Sequence, residues 1–152
     1  ALEANTAMRQ AVSRAVKDGM PVIAECGGFM YLHERLQGED GKEYGMAGVL
    51  HGECHKTSGL ARFGYITMEA EKDNLLCPAG GTLKAHEFHY YDSTLLPDAF
   101  TAKKAGGSAR WKAGVADKRM YAGFPHLYFY GNKEAAYAFV RAAKEYGHRA
   151  GI

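Results

Sequence analysis

The sequence predicts an α/β fold, a sheet with helices on its faces, and three stretches carry that prediction. Asn5 is placed to cap a helix in which Met8, Val12 and Val16 recur every four residues, ending near Lys17 with Gly19 beyond. Pro21 then introduces Val22, Ile23 and Ala24, a short apolar run that reads as a fully buried strand, followed by Phe29, Met30, Leu32 and Leu36 at helical spacing. Near the other end, Asn132 opens a helix from Lys133 to Tyr146, with Ala136, Phe139, Val140 and Ala143 on one side and Gly147 just past it. Helix, buried strand, turn, helix is the unit from which covered sheets are built.

Between these stretches the texture is that of β structure. Gly38 to Gly41 forms a turn, and Gly45, Gly48, Gly52, Gly59 and Gly64 punctuate short apolar segments around Val49 and Ile66. Leu83 to Tyr91 reads as a strand whose alternation puts His86, Phe88 and Tyr90 on one face and Glu87, His89 and Tyr91 on the other. Further strands are expected from Ala99 to Lys103, from Arg110 to Val115, and from Met120 to Phe124 after a turn at Asp117 and Lys118. The tail from His148 is expected to fray.

The 152 residues suit one domain, 1–152. Basic residues exceed acidic ones by two and do not cluster, which excludes an electrostatic footprint for nucleic acid or for an anionic membrane. No stretch approaches the run of about eighteen apolar residues that a membrane span needs. The three cysteines, an odd number at irregular spacing, favour reduced thiols and a cytoplasmic location. Ala1 stands where a methionine would open a protein, so the chain reads as a piece of a longer polypeptide.

Cys26 falls where the first strand turns into a helix. Such a reversal is expected to need Gly27 and Gly28 where side chains would collide, and to expose the thiol. The helix start would lower the thiol pKa below its ordinary value of about 8.5. The alternative is a structural turn that happens to hold a thiol. A cysteine nucleophile needs a base, and His126, fixed behind Pro125 at the end of a strand, is the candidate among seven histidines. His33 is expected to face solvent from its helix. His51, Cys54 and His55 could contribute to a zinc site, but a fourth ligand at suitable spacing is missing, so no metal is assigned.

Asn5 to Met8, Gly19 through Cys26-Gly-Gly-Phe-Met-Tyr-Leu, His86-Glu-Phe-His89-Tyr, and Phe124-Pro-His126-Leu-Tyr-Phe, in this order over nearly the whole chain, resemble the glutaminase domain of the cobyrinate a,c-diamide synthase family. The resemblance implies a flavodoxin-like class I glutamine amidotransferase domain, a mostly parallel central sheet with flanking helices and extra β segments. It implies that Cys26 attacks the side-chain amide of glutamine, that His126 serves as general acid and base, and that a backbone N–H of Gly27 helps hold the oxyanion. It implies no cofactor in this domain. ATP and magnesium belong to an N-terminal synthetase domain, which binds most of the corrinoid and amidates its carboxylates. No phosphate-binding Gly-x-x-x-x-Gly-Lys-Ser/Thr loop occurs here.

Two positions depart from the wider amidotransferase class. Where that class has an acid two residues after the histidine, this chain has Tyr128, so the partner that orients His126 is open, with Glu87 or a group from the synthetase domain as candidates. The strand end that supplies a second oxyanion donor lies before Ala1, so the chain by itself is expected to hydrolyse glutamine weakly or not at all. Glu25, His86 and His89 are expected at a substrate or domain interface. Other amidotransferases of the group, acting on cobyric acid, nickel sirohydrochlorin or cell-wall lipids, and a degenerate docking domain remain alternatives.

Overall fold

The structure is a computed structural model, and it describes residues 1–151. Helix α1, Thr6–Lys17, begins where Asn5 Oδ1 accepts the Met8 N–H at 3.1 Å, as an N-cap does. It leads through Gly19, at φ 86°, to strand β1, Val22–Glu25. β1 pairs in parallel with β11, Met120–Gly123, and β11 pairs antiparallel with β10, Val115–Ala116, so this three-stranded sheet runs β1-β11-β10. β1 is its edge, and only Ala24 is buried, which corrects the expectation of a fully buried strand.

The second helix, α2, is shorter than its spacing suggests. It covers Gly27–Leu32, and the chain then extends as β2, His33–Gln37. Leu36 still turns inward, but from a strand: β2 has β3, Glu43–Gly45, on one side and β4, Leu50–Lys56, on the other, and pairing on both edges outweighs a helical period carried by one leucine. His33 is fully buried, not solvent-facing. Its Nδ1 meets Phe29 O at 2.9 Å and its Nε2 meets Ser93 Oγ at 2.7 Å. With β7, Tyr91–Ser93, these strands form a second sheet in the order β3-β2-β4-β7.

The third sheet is the largest, five strands in the order β12-β6-β5-β8-β9 and antiparallel throughout. It comprises β5 (Arg62–Ala70), β6 (Thr82–His89), β8 (Phe100–Lys104), β9 (Arg110–Ala113) and β12 (His126–Leu127). The expected strand from Arg110 to Val115 is broken at Gly114, whose φ of 61° lets the chain pass from this sheet into β10. Among the described residues parallel pairing is confined to β1–β11 and β2–β4, and every other pairing is antiparallel.

One face of the five-stranded sheet, carrying Ile66, Met68, Leu83, Ala85, Phe100 and Ala102, packs into the main core with Tyr121 and with α3, Lys133–Ala150. That helix runs three residues past Gly147 and closes on Gly151 at φ 72°. Asn132 precedes it without a side-chain cap bond. Its amide instead accepts Lys84 N–H at 2.9 Å and donates to Lys84 O and Tyr128 O, tying the helix start to β6.

Candidate active site

The end of β1 and the end of β11 lie side by side, because the parallel register sets Glu25 opposite Gly123. Cys26 follows Glu25 and donates its N–H to Gly123 O at 2.9 Å. Its backbone sits at φ 47°, ψ −105°, making it the one residue other than glycine with positive φ among the described residues. A cysteine held there carries strain of order 1–3 kcal/mol. The turn persists because both sides are anchored: Met30 N–H bonds Cys26 O at 2.9 Å, and Phe29 packs edge-on to Phe124 at 5.1 Å.

The strain belongs to Cys26 and not to the glycines. A methyl group on Gly27 would meet nothing within 4 Å, and one on Gly28 would make ordinary contact with Ala24 at 3.7 Å. The expected collision is absent, and open space lies beside Gly27 instead. The Gly27 N–H bonds the thiol and favours the thiolate, but burial outweighs it, and the neighbouring Glu25 carboxylate adds to burial. The Cys26 pKa is therefore raised, contrary to the expected lowering, and the group is a thiol at neutral pH.

His126 reaches the same strand ends from β11. Gly123, Phe124 and buried Pro125 lead out of the three-stranded sheet, the Tyr121 hydroxyl donates to Pro125 O at 3.1 Å, and His126 begins β12 opposite His86. The carboxylate of Glu25 spans the junction. Oε1 accepts the Leu127 N–H at 2.9 Å, and Oε2 stands 3.4 Å from His126 Nδ1. A carboxylate on Nδ1 favours the tautomer whose Nε2 carries the free lone pair. The half-exposed ring thus has an acidic partner directly before Cys26, where sequence reasoning looked to Glu87.

Glu87 and His89 turn the other way. Both are buried; His89 donates from Nδ1 to Tyr91 O at 2.7 Å, stacks on Phe124 with centroids 4.0 Å apart, and points Nε2 to Glu87 Oε1 at 3.7 Å. The pair lines a cavity of ≈ 280 Å³ together with Phe29, Phe124, Arg62 and Trp111. Of the three residues expected at a substrate or domain interface, Glu25 is turned to His126, His89 is buried, and His86 lines a surface cleft with His126. Cys54 is buried on β4 while His51 points outward, as opposite strand parity requires. Among the described residues no group of three His, Cys, Asp or Glu could hold a metal ion, and all three cysteines are free.

Residues 1–134 match the CobB/CobQ-like glutamine amidotransferase domain. The chain belongs to that family. Its mixed α/β architecture is that of a class I glutamine amidotransferase. Among curated proteins, this amidotransferase domain is 35% identical over 150 residues to the cobyrinate a,c-diamide synthase of Caldanaerobacter subterraneus subsp. tengcongensis, covering 97% of the chain and 33% of the relative. It is 36% identical over 149 residues to the synthase of the same name from Dehalococcoides mccartyi strain 195, covering 94% of the chain and 32% of the relative. With the enzyme of that name from Picrophilus torridus it shares 34% over 141 residues, 93% of the chain and 30% of the relative. The chain spans about a third of the length of these relatives, which therefore carry a larger second region. No helix of the described residues is long and apolar enough to cross a membrane.

Proposed function

We propose that the chain is the glutamine-hydrolysing part of a cytoplasmic cobyrinate a,c-diamide synthase, and that Cys26, His126 and Glu25 act as nucleophile, acid–base and orienting group. In this reading His126 Nε2 takes the thiol proton as Sγ attacks the side-chain carbonyl carbon of glutamine. The proton passes to the departing nitrogen, ammonia leaves, and a glutamyl thioester remains. Water, deprotonated by the same imidazole, then releases glutamate and restores the thiol. The raised thiol pKa makes the base necessary for the first step, and the Gly27 N–H is a donor for the developing oxyanion. Removing such a donor costs about 3 kcal/mol of barrier. Ammonia is passed to an ATP- and magnesium-dependent region that amidates the a and c carboxylates of cobyrinic acid. The single observation that carries the reading is the Glu25 carboxylate, shared between the His126 ring and the Leu127 amide beside a strained Cys26.

Glutamate release by the full-length protein is the test. Cys26→Ser should abolish it and leave folding intact; release at the parent rate from Cys26→Ser removes Cys26 from its role.

A further inference from the structure

The outer face of the five-stranded sheet is divided into two halves of different chemistry. An antiparallel sheet with one solvated face normally alternates apolar inside and polar outside. The half formed by β8, β9 and the far ends of β5 and β6 obeys this, with Thr67, Glu69, Lys84, Lys103 and Lys112 pointing outward. On the other half the outward residues are Phe63, Tyr65, His86 and Phe88. Phe63 is 59% exposed, Tyr65 74% and Phe88 51%, although each lies in contact with the next ring: Phe63 with Phe88 at 5.8 Å, Phe63 with His86 at 5.6 Å, and Tyr65 with His86 at 5.0 Å. Tyr90 continues the row at one end, and Tyr128 and Tyr130 lie at the other. At about 200 Å² for a fully exposed ring residue, these six Phe and Tyr residues present roughly 740 Å², close to the about 800 Å² that each partner gives to a standard interface.

The aromatic half is also the half that carries the base. The register sets His126 opposite His86 and His86 opposite Tyr65, so these three form one cross-strand row on the same face. They and Tyr128 line a cleft of ≈ 580 Å³. The cleft opens from the His126 ring onto the exposed aromatic surface, which Lys84 and Lys103 edge. The relatives carry about two-thirds of their length beyond the matched region.

Resting on the function proposed above, we infer that this aromatic half-face is the docking surface for the ammonia-accepting protein region, which meets it with an apolar surface edged by acidic side chains. Docking there closes the cleft over His126 and carries ammonia to its acceptor without loss to solvent.

The test is a Phe63→Ser/Phe88→Ser double variant of the full-length protein, assayed for glutamate released and for amide formed per glutamate. Release should stay within about twofold of the parent while amide per glutamate falls about tenfold or more, the loss of hot-spot rings, with free ammonia making up the difference. Lys103→Glu, on the polar rim, should lower the same ratio with an unchanged melting temperature, which keeps the test open should the double variant unfold. Backbone amides of β5 and β6 should exchange hydrogen more slowly in the full-length protein than in the 152-residue chain. An unchanged ratio in the folded variants, or equal exchange, overturns the inference. So does a 152-residue chain that sediments as a dimer and becomes monomeric in the double variant, because the face then belongs to a second copy. Failure of the functional reading looks different: the unaltered protein releases no glutamate.

Discussion

Replacing Glu25 by glutamine separates charge from geometry at the centre of the site. Glutamine keeps an oxygen that can accept the Leu127 N–H, which Glu25 Oε1 now does at 2.9 Å, but it removes the negative charge 3.4 Å from His126 Nδ1. Unit charges at that distance interact by about 1 kcal/mol in a water-like dielectric and about 5 kcal/mol at an effective constant of 20. The ring is half exposed and the carboxylate a quarter exposed, so the lower part of that range applies, about 1–2 kcal/mol. The imidazolium formed as the thiol is deprotonated loses that stabilisation, and glutamate release should fall about tenfold with little change in stability. Glu25→Ala should do more harm, since it also strands the Leu127 amide at a cost of about 1–3 kcal/mol in stability. Steady-state glutamate release and urea melts of the two variants are the assay. A Glu25→Gln protein with the parent rate, or a Glu87→Gln protein that reproduces its loss, would refute the assignment of the acid partner.

Gly27→Ala tests the open space beside the nucleophile: nothing lies within 4 Å of the added methyl, so stability should hold or gain at most about 1 kcal/mol, while glutamate release should drop about tenfold or more. A parent rate would mean that substrate does not occupy that space. Buried Cys54, whose pKa burial pushes up to about 12 from 9.0, makes an alkaline prediction. Because the unfolded thiol ionises first, its contribution is complete below pH 9 and is lost as pH rises toward 12, of order 4 kcal/mol. Urea midpoints of the parent should fall over that range more steeply than those of Cys54→Ala; parallel curves would contradict it.

What was legible in the sequence was local. The strand-to-helix turn at Cys26 was legible because an apolar strand, a thiol and two glycines in a row describe it, and the faces of Thr82–His89 followed from alternation alone. The approach of Glu25 to His126 was not legible because it arises only through the parallel pairing of β1 with β11, strands about a hundred positions apart. A faint signal existed: a carboxylate directly before Cys26, at the strand end where the base was already expected. The length of α2 was misread because Leu32 and Leu36 fit a helical period, whereas β3 and β4 draw the segment after Leu32 into a sheet. The direction of the thiol shift was misread too, since a sequence displays the helix start but not the burial that outweighs it.

The central claim is that a protonated Cys26 thiol depends on His126. Labelling with diazo-oxo-norleucine at pH 7, read by mass spectrometry of the modified peptide in parent and His126→Ala proteins, tests it most directly. Modification should fall on Cys26 and slow by about a hundredfold or more without the imidazole. Equal rates in the two proteins, or a label on Cys54 or Cys77, would contradict it.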